Sequence, residues 1–310
     1  MKTYEKIYLE LKHQPDYISG ETLAENLSVS RTAIWKAIKT LENKGLTVES
    51  TKNKGYKLVS GDLYLKDQLE ERLNFPVQIL EKSQSTQIDA KNGLEKGAPA
   101  PTLYLAQEQT AAKGRFGRSF FTDKTGGIYM SLHLKPNCHY QDVKPYTIMV
   151  ASSLVKAISR LTGIECDIKW VNDIYLNGKK IAGILTEAMT SVETGLVTDV
   201  IIGVGINFFI STFPENLSEI ADNLFQTTPS ITREDLICSM WNIFFETPEY
   251  DLVKYYKDKS LVLHQTITYL EQEQEKQAKV LDITNRGELL IQTGEEKKTL
   301  SSGEVRLISW

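Results

Sequence analysis

Several common kinds of chemistry lack their residues in this sequence. Its three cysteines, Cys138, Cys166 and Cys238, are odd in number and far apart. That excludes a disulfide framework and any CxxC metal knuckle, and it fits a reducing compartment. The four histidines, His13, His133, His139 and His264, make no metal-ligand spacing, and neither HExxH nor GxSxG occurs. Zinc and serine-nucleophile catalysis are therefore not expected. No apolar run approaches the roughly 20 residues that span a bilayer. Met1-Lys2-Thr3-Tyr4-Glu5-Lys6 leads into no apolar segment of a secretory signal, so a cytoplasmic protein is expected. There is no internal repeat or low-complexity tract, and 36 Lys and Arg against 40 Asp and Glu leave a net charge of −4, which excludes a polycation. What remains is ordinary globular usage, 41% apolar and 25% charged, over 310 residues, enough for about two domains.

The charge is unevenly placed. Residues 31–57 hold seven basic residues against two acidic ones, on a chain that is acidic elsewhere. Charge alone would fit a solvated helix face; the surrounding pattern points to an anionic partner. Residues 2–12 carry apolar Tyr4, Ile7, Tyr8 and Leu11 at helical spacing. Ser19-Gly20-Glu21-Thr22 opens a second helix with Leu23, Ala24 and Leu27 on one face, Ser28-Val29-Ser30 is a turn, and Ser30 can cap a third helix. That helix has Ile34, Ile38 and Leu41 on its stripe and ends at Gly45. A cationic hairpin turn, Lys52-Asn53-Lys54-Gly55, follows. Three helices and a hairpin are the order of a winged helix-turn-helix. Arg31, Thr32, Trp35, Lys36 and Lys39 lie off the apolar stripe, where a major groove can meet them; Lys52 and Lys54 sit on the wing, near phosphates.

Beyond a connector at 60–65, helices and strands mix. Leu103–Ala106, Ile128–Leu134, Ile164–Lys169, Ile174–Leu176, Lys180–Thr186 and Val200–Phe208 read as strands, and Tyr146–Leu161 as a long helix. Leu236, Met240, Ile243 and Phe244 mark another helix. From Thr266 the pattern turns to short strands: Ile267–Leu270, Lys279–Ile283, Glu288–Gln292 and Val305–Ile308, with a charged, solvated hairpin at Glu271–Lys276. The expected fold is α+β and multidomain: a winged helix-turn-helix over 1–62, a mixed α/β domain over 63–265, and an SH3-like β-barrel over 266–310.

Three blocks could carry chemistry. Gln109-Thr110-Ala111-Ala112-Lys113-Gly114-Arg115-Phe116-Gly117-Arg118 sets three cations among two glycines. Glycine lets backbone amides approach a ligand, and Arg donates in pairs to phosphate or carboxylate. It is not a Walker A loop, and taken alone it reads sooner as a flexible basic surface loop. Lys169-Trp170-Val171-Asn172-Asp173 precedes Lys179-Lys180-Ile181-Ala182-Gly183-Ile184-Leu185, which puts a lysine among apolar residues at a strand start. Ile202-Gly203-Val204-Gly205-Ile206-Asn207 interrupts an apolar strand with glycines, a pattern that often only permits close backbone packing.

In this order, behind a winged helix, these blocks resemble the bifunctional biotin–protein ligase (biotin–[acetyl-CoA-carboxylase] ligase) and biotin operon repressor family over essentially the whole chain. KWVND followed by KKIAGIL is the most specific part; Ser85-Thr86-Gln87, GRFGR and GxGIN accompany it. The resemblance implies formation of biotinyl-5′-AMP from biotin and MgATP, then transfer of biotin to a lysine of a biotin carrier protein. It implies biotin contacts from Ser85, Thr86, Gln109, Lys113, Gly114, Arg115, Phe120, Lys180 and Gly183. For ATP and the adenylate it implies Arg115, Arg118, Lys169, Asn172, Asp173, Lys180, Asn207 and Ala221. Lys180, Arg115 and Arg118 would act on the reacting groups, and the segment from Phe213 to Leu224 would cover the adenylate. No protein ligand to a metal is implied; Mg²⁺ would arrive with ATP. Biotinyl-AMP would promote a homodimer that reads operator DNA with two winged helices, with no membrane role. The chain departs from the family at Ala112, usually glycine, at Phe120, often Trp, and at Val171, often proline. Gly303-Glu304-Val305-Arg306 fits the C-terminal region, without an ATP contact assigned to Arg306. A small-molecule-sensing winged-helix regulator without catalysis is the alternative, which would leave Lys180 and the GRFGR loop as plain surface cations. A lipoate or other acyl–protein ligase, and a ligase whose N-terminal module no longer binds DNA, are further rivals.

Overall fold

The computed structural model describes residues 1–271, 274–301 and 306–309. It opens with helices α1 (Thr3–Lys12), α2 (Gly20–Asn26) and α3 (Arg31–Asn43), followed by an antiparallel hairpin of β1 (Thr47–Thr51) and β2 (Gly55–Ser60). The helix starts are set locally. Ser19 accepts from the Thr22 N–H at 3.0 Å and Ser30 from the Ala33 N–H at 3.2 Å, each satisfying a helix-end donor. Gly45 follows α3 at φ +88°, the left-handed conformation that ends a helix cheaply for glycine. Ile7, Tyr8, Leu11, Leu23, Ile34, Ile38 and Leu41 meet in one core with Leu46 and Val48. The winged helix-turn-helix expectation is met.

Leu63 and Leu65 pack into this core, while Tyr64 between them packs into the larger one, so the chain crosses from one core to the other here. The second part runs α4 (Lys66–Leu73), β3 (Val77–Ser83), α5 (Thr86–Glu95), β4 (Thr102–Gln109), β5 (Gly127–Leu134) and α6 (Tyr146–Thr162). It continues through β6 (Asp167–Lys169), β7 (Asp173–Leu176), β8 (Lys179–Thr190), β9 (Val197–Asn207), α7 (Glu215–Ser218), α8 (Arg233–Glu246) and α9 (Glu249–Asp258). The strands form one seven-stranded sheet in the order β3-β4-β5-β9-β8-β7-β6, parallel between β3 and β4 and antiparallel elsewhere.

Side chains alternate across a strand, and that alternation divides the sheet's two jobs. Met130, Leu132, Ala182, Ile184, Ile202, Val204 and Ile206 enter the core that α6 and α8 cover. Their neighbours face the other way, in rows set by register: Ser131 opposite Gly203 opposite Leu185, and Tyr129 opposite Gly205 opposite Gly183.

The C-terminal part, β10 (Thr266–Glu271), β11 (Gln274–Ile283), β12 (Leu289–Thr293), β13 (Glu296–Leu300) and β14 (Arg306–Ser309), is an antiparallel sheet in the order β13-β12-β11-β10-β14. Ile267, Tyr269, Val280, Ile283, Leu289 and Ile291 belong to the same apolar cluster as the large sheet. Trp170 Nε1 donates to the Gly287 carbonyl at 2.8 Å, which ties this sheet to the β6–β7 turn.

The strand expected over Ile164–Lys169 is shorter, because the Ile164 N–H bonds to Thr162 Oγ1 at 3.1 Å and Glu165 turns to Lys259 and Ser159. The pattern also does not reveal α4, β3, α5, α9 or β13, which are short and bury few side chains each. Gly303, Glu304 and Val305 lie outside the described residues, as do 272 and 273 of the charged hairpin. Glu271 of that hairpin is not merely solvated: it pairs with Lys276 at 2.7 Å and Lys298 at 3.0 Å. Cys166 and Cys238 are buried and free, and burial pushes both thiols up to about 12, so they pack as small apolar residues.

Candidate active site and nucleic-acid interface

A cavity of about 480 Å³ opens over the row-bearing face of the sheet. Every ligand-site residue expected from the sequence lines it: Ser85, Thr86, Gln109, Lys113, Gly114, Arg115, Arg118, Phe120, Lys169, Asn172, Asp173, Lys180, Gly183, Asn207 and Ala221.

One end is neutral and polar. The Thr86 N–H at the start of α5 donates to Gln109 Oε1 at 2.8 Å, and Ser131 donates to Thr86 Oγ1 at 2.8 Å. The floor is made by glycines. A methyl group at Gly205 would lie 2.6 Å from the Phe120 ring, and one at Gly203 would lie 2.9 Å from Gln87 Oε1. Gly183, directly opposite Gly205, leaves room for the Lys180 ammonium, 3.1 Å from where its Cβ would be. The glycines thus do more than bring backbones together: they seat Phe120, Gln87 and Lys180.

The other end is cationic. Lys180 is the second residue of β8 and its Nζ lies 2.7 Å from Asp173 Oδ1 on the neighbouring strand. Arg115 donates to Asn172 Oδ1 at 3.3 Å, and Asn172 Nδ2 donates to the Ile184 carbonyl at 2.9 Å. Burial, with Arg118 beside it, holds the Arg115 guanidinium below its ordinary pKa, against the pull of Asp173. Lys169 lies 5.9 Å from the Tyr175 ring centre. The GRFGR loop is ordered by local bonds: Gly114 N–H to the Arg118 carbonyl at 2.8 Å, and Phe120 N–H to the Ala112 carbonyl at 3.0 Å. Ala112 is not among the residues with positive φ, so its methyl group needs no backbone strain; Phe116 is, at φ +57°.

The 213–224 segment closes one side. Lys180 N–H donates to the Ile220 carbonyl and Asp222 N–H to the Lys180 carbonyl, each at 3.0 Å, beside Ala221. Asn207 Nδ2 donates to the Asp222 carbonyl at 3.1 Å, so its amide holds this segment to the end of β9, beside the strand that carries Lys180. Sequence reasoning did not assign Ser131, Trp170, Tyr175, Gly203 or Gly205 to the cavity, although all line it. The period-two spacing of Gly203, Gly205 and Asn207 was the available signal. Among the described residues, no group of His, Cys, Asp and Glu could hold a metal ion.

On the winged helix, Thr32, Trp35, Lys36, Lys52 and Lys54 are exposed, Trp35 at 54%. Arg31 is exposed but paired with Glu21, and Lys39 with Glu42 at 2.6 Å. Exposed pairs of this kind are weak, so phosphate can compete for both cations. Lys54 stands 5.6 Å from the Tyr17 ring centre.

Known proteins share this arrangement. Residues 4–57 match the HTH domain, 78–207 the biotin/lipoate A/B protein ligase family, and 264–307 the biotin protein ligase C terminal domain. The chain is 37% identical over 235 residues to the bifunctional ligase/repressor BirA of Bacillus subtilis, covering 72% of this chain and 71% of that one. It is 28% identical over 207 residues to the BirA of Escherichia coli, covering 65% and 63%. Among solved structures, the biotin protein ligase from Aquifex aeolicus in complex with biotin and ATP superposes with a TM-score of 0.64 at 25% identity, over 76% of this chain and 99% of that one. A helix-turn-helix module joined to a biotin/lipoate-ligase scaffold with its C-terminal sheet defines the class. The chain belongs to the bifunctional biotin–protein ligase/repressor family.

Proposed function

We propose that this protein joins biotin to ATP as biotinyl-5′-AMP, passes the biotinyl group to a lysine of a biotin carrier protein, and represses transcription when the adenylate is bound. The observation that carries the ligase reading is the polarity of the cavity. Neutral donors and acceptors at Ser85, Thr86, Gln109 and Ser131 suit an uncharged ring system at one end. Lys180, Arg115 and Arg118 suit two anions at the other.

A biotin carboxylate oxygen attacks the α-phosphorus of ATP, the bond to the β-phosphate breaks, and pyrophosphate leaves. Two anions must meet, and fixed cations offset their repulsion most as the new bond forms. Lys180 does this from its ion pair with Asp173, which holds the ammonium in place before substrate arrives. Mg²⁺ travels with the ATP phosphates as part of that substrate. The amine of the carrier lysine then attacks the acyl carbon, AMP leaves with the bonding pair, and the amine's proton passes to solvent. The 213–224 segment, pinned through Lys180 and Asn207, keeps water from the anhydride.

The repressor reading rests on the exposed cations of α3 and the wing. A ligand-promoted homodimer would present two such surfaces to a palindromic operator, and the site of action is the cytoplasm. Among the described residues, no helix is long and apolar enough to cross a membrane. Units 1–62, 63–265 and 266–310 divide these tasks.

The test mixes the protein with biotin, MgATP and a purified carrier domain and records the carrier's intact mass. A gain of one biotinyl group, lost in Lys180→Ala while biotin still binds, is the expected result. No gain from a folded, biotin-binding protein would favour the non-catalytic regulator.

A further inference from the structure

Helix α5 carries Ser85 and Thr86 to the neutral end of the cavity, yet it is anchored from its far side by a carboxylate outside the cavity. Glu187 lies on β8 two and four residues beyond Leu185 and Gly183, hence on the same face of the sheet. Its Oε2 accepts from Gln87 Nε2 at 2.8 Å and its carboxylate from Lys91 Nζ at 3.0 Å. Gln87 and Lys91 are one helical turn apart on α5, so one carboxylate holds the helix at two points. Gln87 is 7% exposed, and its amide also donates to the Ile201 carbonyl at 3.4 Å. Its Oε1 is buried with no hydrogen-bond partner and rests against Gly203.

A buried acceptor without a partner needs an explanation. Turning the amide over would set Oε1 against the Glu187 carboxylate, acceptor on acceptor, and leave the N–H₂ facing Gly203. Glu187 therefore dictates the amide's orientation, and the amide, seated on Gly203, sets the height of the first turn of α5 above the sheet. That turn makes the Thr86 bonds to Gln109 and Ser131.

We propose that Glu187 is a positioning residue for the biotin end of the reaction: through Gln87 and Lys91 it holds the first turn of α5 at the spacing from β5 and β9 that the ring of biotin requires. The inference rests on the ligase reading above. A shift of the α5 start leaves the cationic end untouched, so the effect falls on biotin and not on ATP.

The experiment measures KM for biotin and for ATP, together with direct calorimetric binding of biotin, in the full-length protein. In Glu187→Ala, KM for biotin rises about tenfold, as expected when positioning groups shift, while KM for ATP stays within twofold. In Gln87→Glu, two carboxylates face each other at hydrogen-bond distance, so biotin binding weakens near pH 8 and recovers toward pH 5 as one is protonated. Adding Glu187→Gln to Gln87→Glu restores one carboxylate and one amide, and with them biotin affinity at pH 8. Circular dichroism checks that each variant folds. If the wild-type protein binds no biotin, the ligase reading itself fails. If it binds biotin and Glu187→Ala binds equally well, or if the double variant shows no rescue, the positioning role is refuted.

Discussion

Glu234 is the residue at which pH meets the join between the DNA-binding and ligase parts. It stands in the first turn of α8, 1% exposed, and accepts a hydrogen bond from the Leu65 N–H, where the chain leaves the winged helix. Its neighbour Arg233 is buried against Asp62, with Nε to Oδ1 and the backbone N–H to Oδ2 both at 2.6 Å, and reaches the Gly127 carbonyl at 3.3 Å. Burial pushes the Glu234 carboxyl from 4.5 up to about 7, against the Leu65 N–H and the more distant Lys12 and Arg72, with Asp62 adding to the rise. The folded protein therefore holds a proton that the unfolded chain releases at an ordinary carboxylate pKa. The stabilisation is complete below about pH 4.5 and is lost as pH rises through 7. Between pH 5 and pH 8 this single group withdraws about 2.5 kcal/mol of stability. Glu234→Gln keeps an acceptor for Leu65 and has no proton to lose. The unfolding free energy of the variant minus that of the wild type should rise by about 2.5 kcal/mol from pH 5 to pH 8, half of it by about pH 6 and levelling off above about pH 7. Urea unfolding at a series of pH values, followed by tryptophan fluorescence and circular dichroism, measures it. Any constant offset from the new amide N–H₂ leaves the slope untouched. Parallel stability profiles for the two proteins would refute the argument, since they would mean that Glu234 is ionised in the folded state.

Two further outcomes test the cavity floor and the wing. Gly205→Ala places a methyl group 2.6 Å from the Phe120 ring, and overpacking of this kind costs about 1–3 kcal/mol. It should appear as a roughly tenfold or greater loss of biotin affinity by calorimetry as Phe120 leaves its seat; unchanged affinity would show that the floor is not what shapes the pocket. Replacing Lys52 and Lys54 with alanine should leave Tm unchanged, since both are exposed. The slope of log K for operator DNA against log salt should then become shallower by about two units, at roughly 0.9 for each phosphate that is no longer neutralised. Anisotropy titrations across salt concentrations read that slope, and an unaltered one would remove the wing from the interface.

Much of this molecule is local and therefore legible in the chain. Ser19 and Ser30 cap their helices through bonds three residues long, Gly45 ends α3 because it alone is at ease at positive φ, and Ile34, Ile38 and Leu41 form a stripe because a helix turns every 3.6 residues. The cavity residues were legible as motifs because each block is a strand end or loop that carries its own side chains to the same side of the sheet. What tertiary structure alone decided depends on register between strands far apart in sequence. Only the pairing of β5, β9 and β8 sets Ser131, Gly203 and Leu185 in one row, and Tyr129, Gly205 and Gly183 in the next, so only the sheet turns those glycines into seats for Gln87, Phe120 and Lys180. The same holds for polar groups whose partners are distant. Glu187 has no partner beside it in the chain; α5 brings Gln87 and Lys91 across the sheet to it. Nothing beside Arg233 and Glu234 in the chain shows that Asp62 and Leu65 pair with them in the interior. A carboxylate's partner and its desolvation come from the whole fold, and neither is written in the residues beside it.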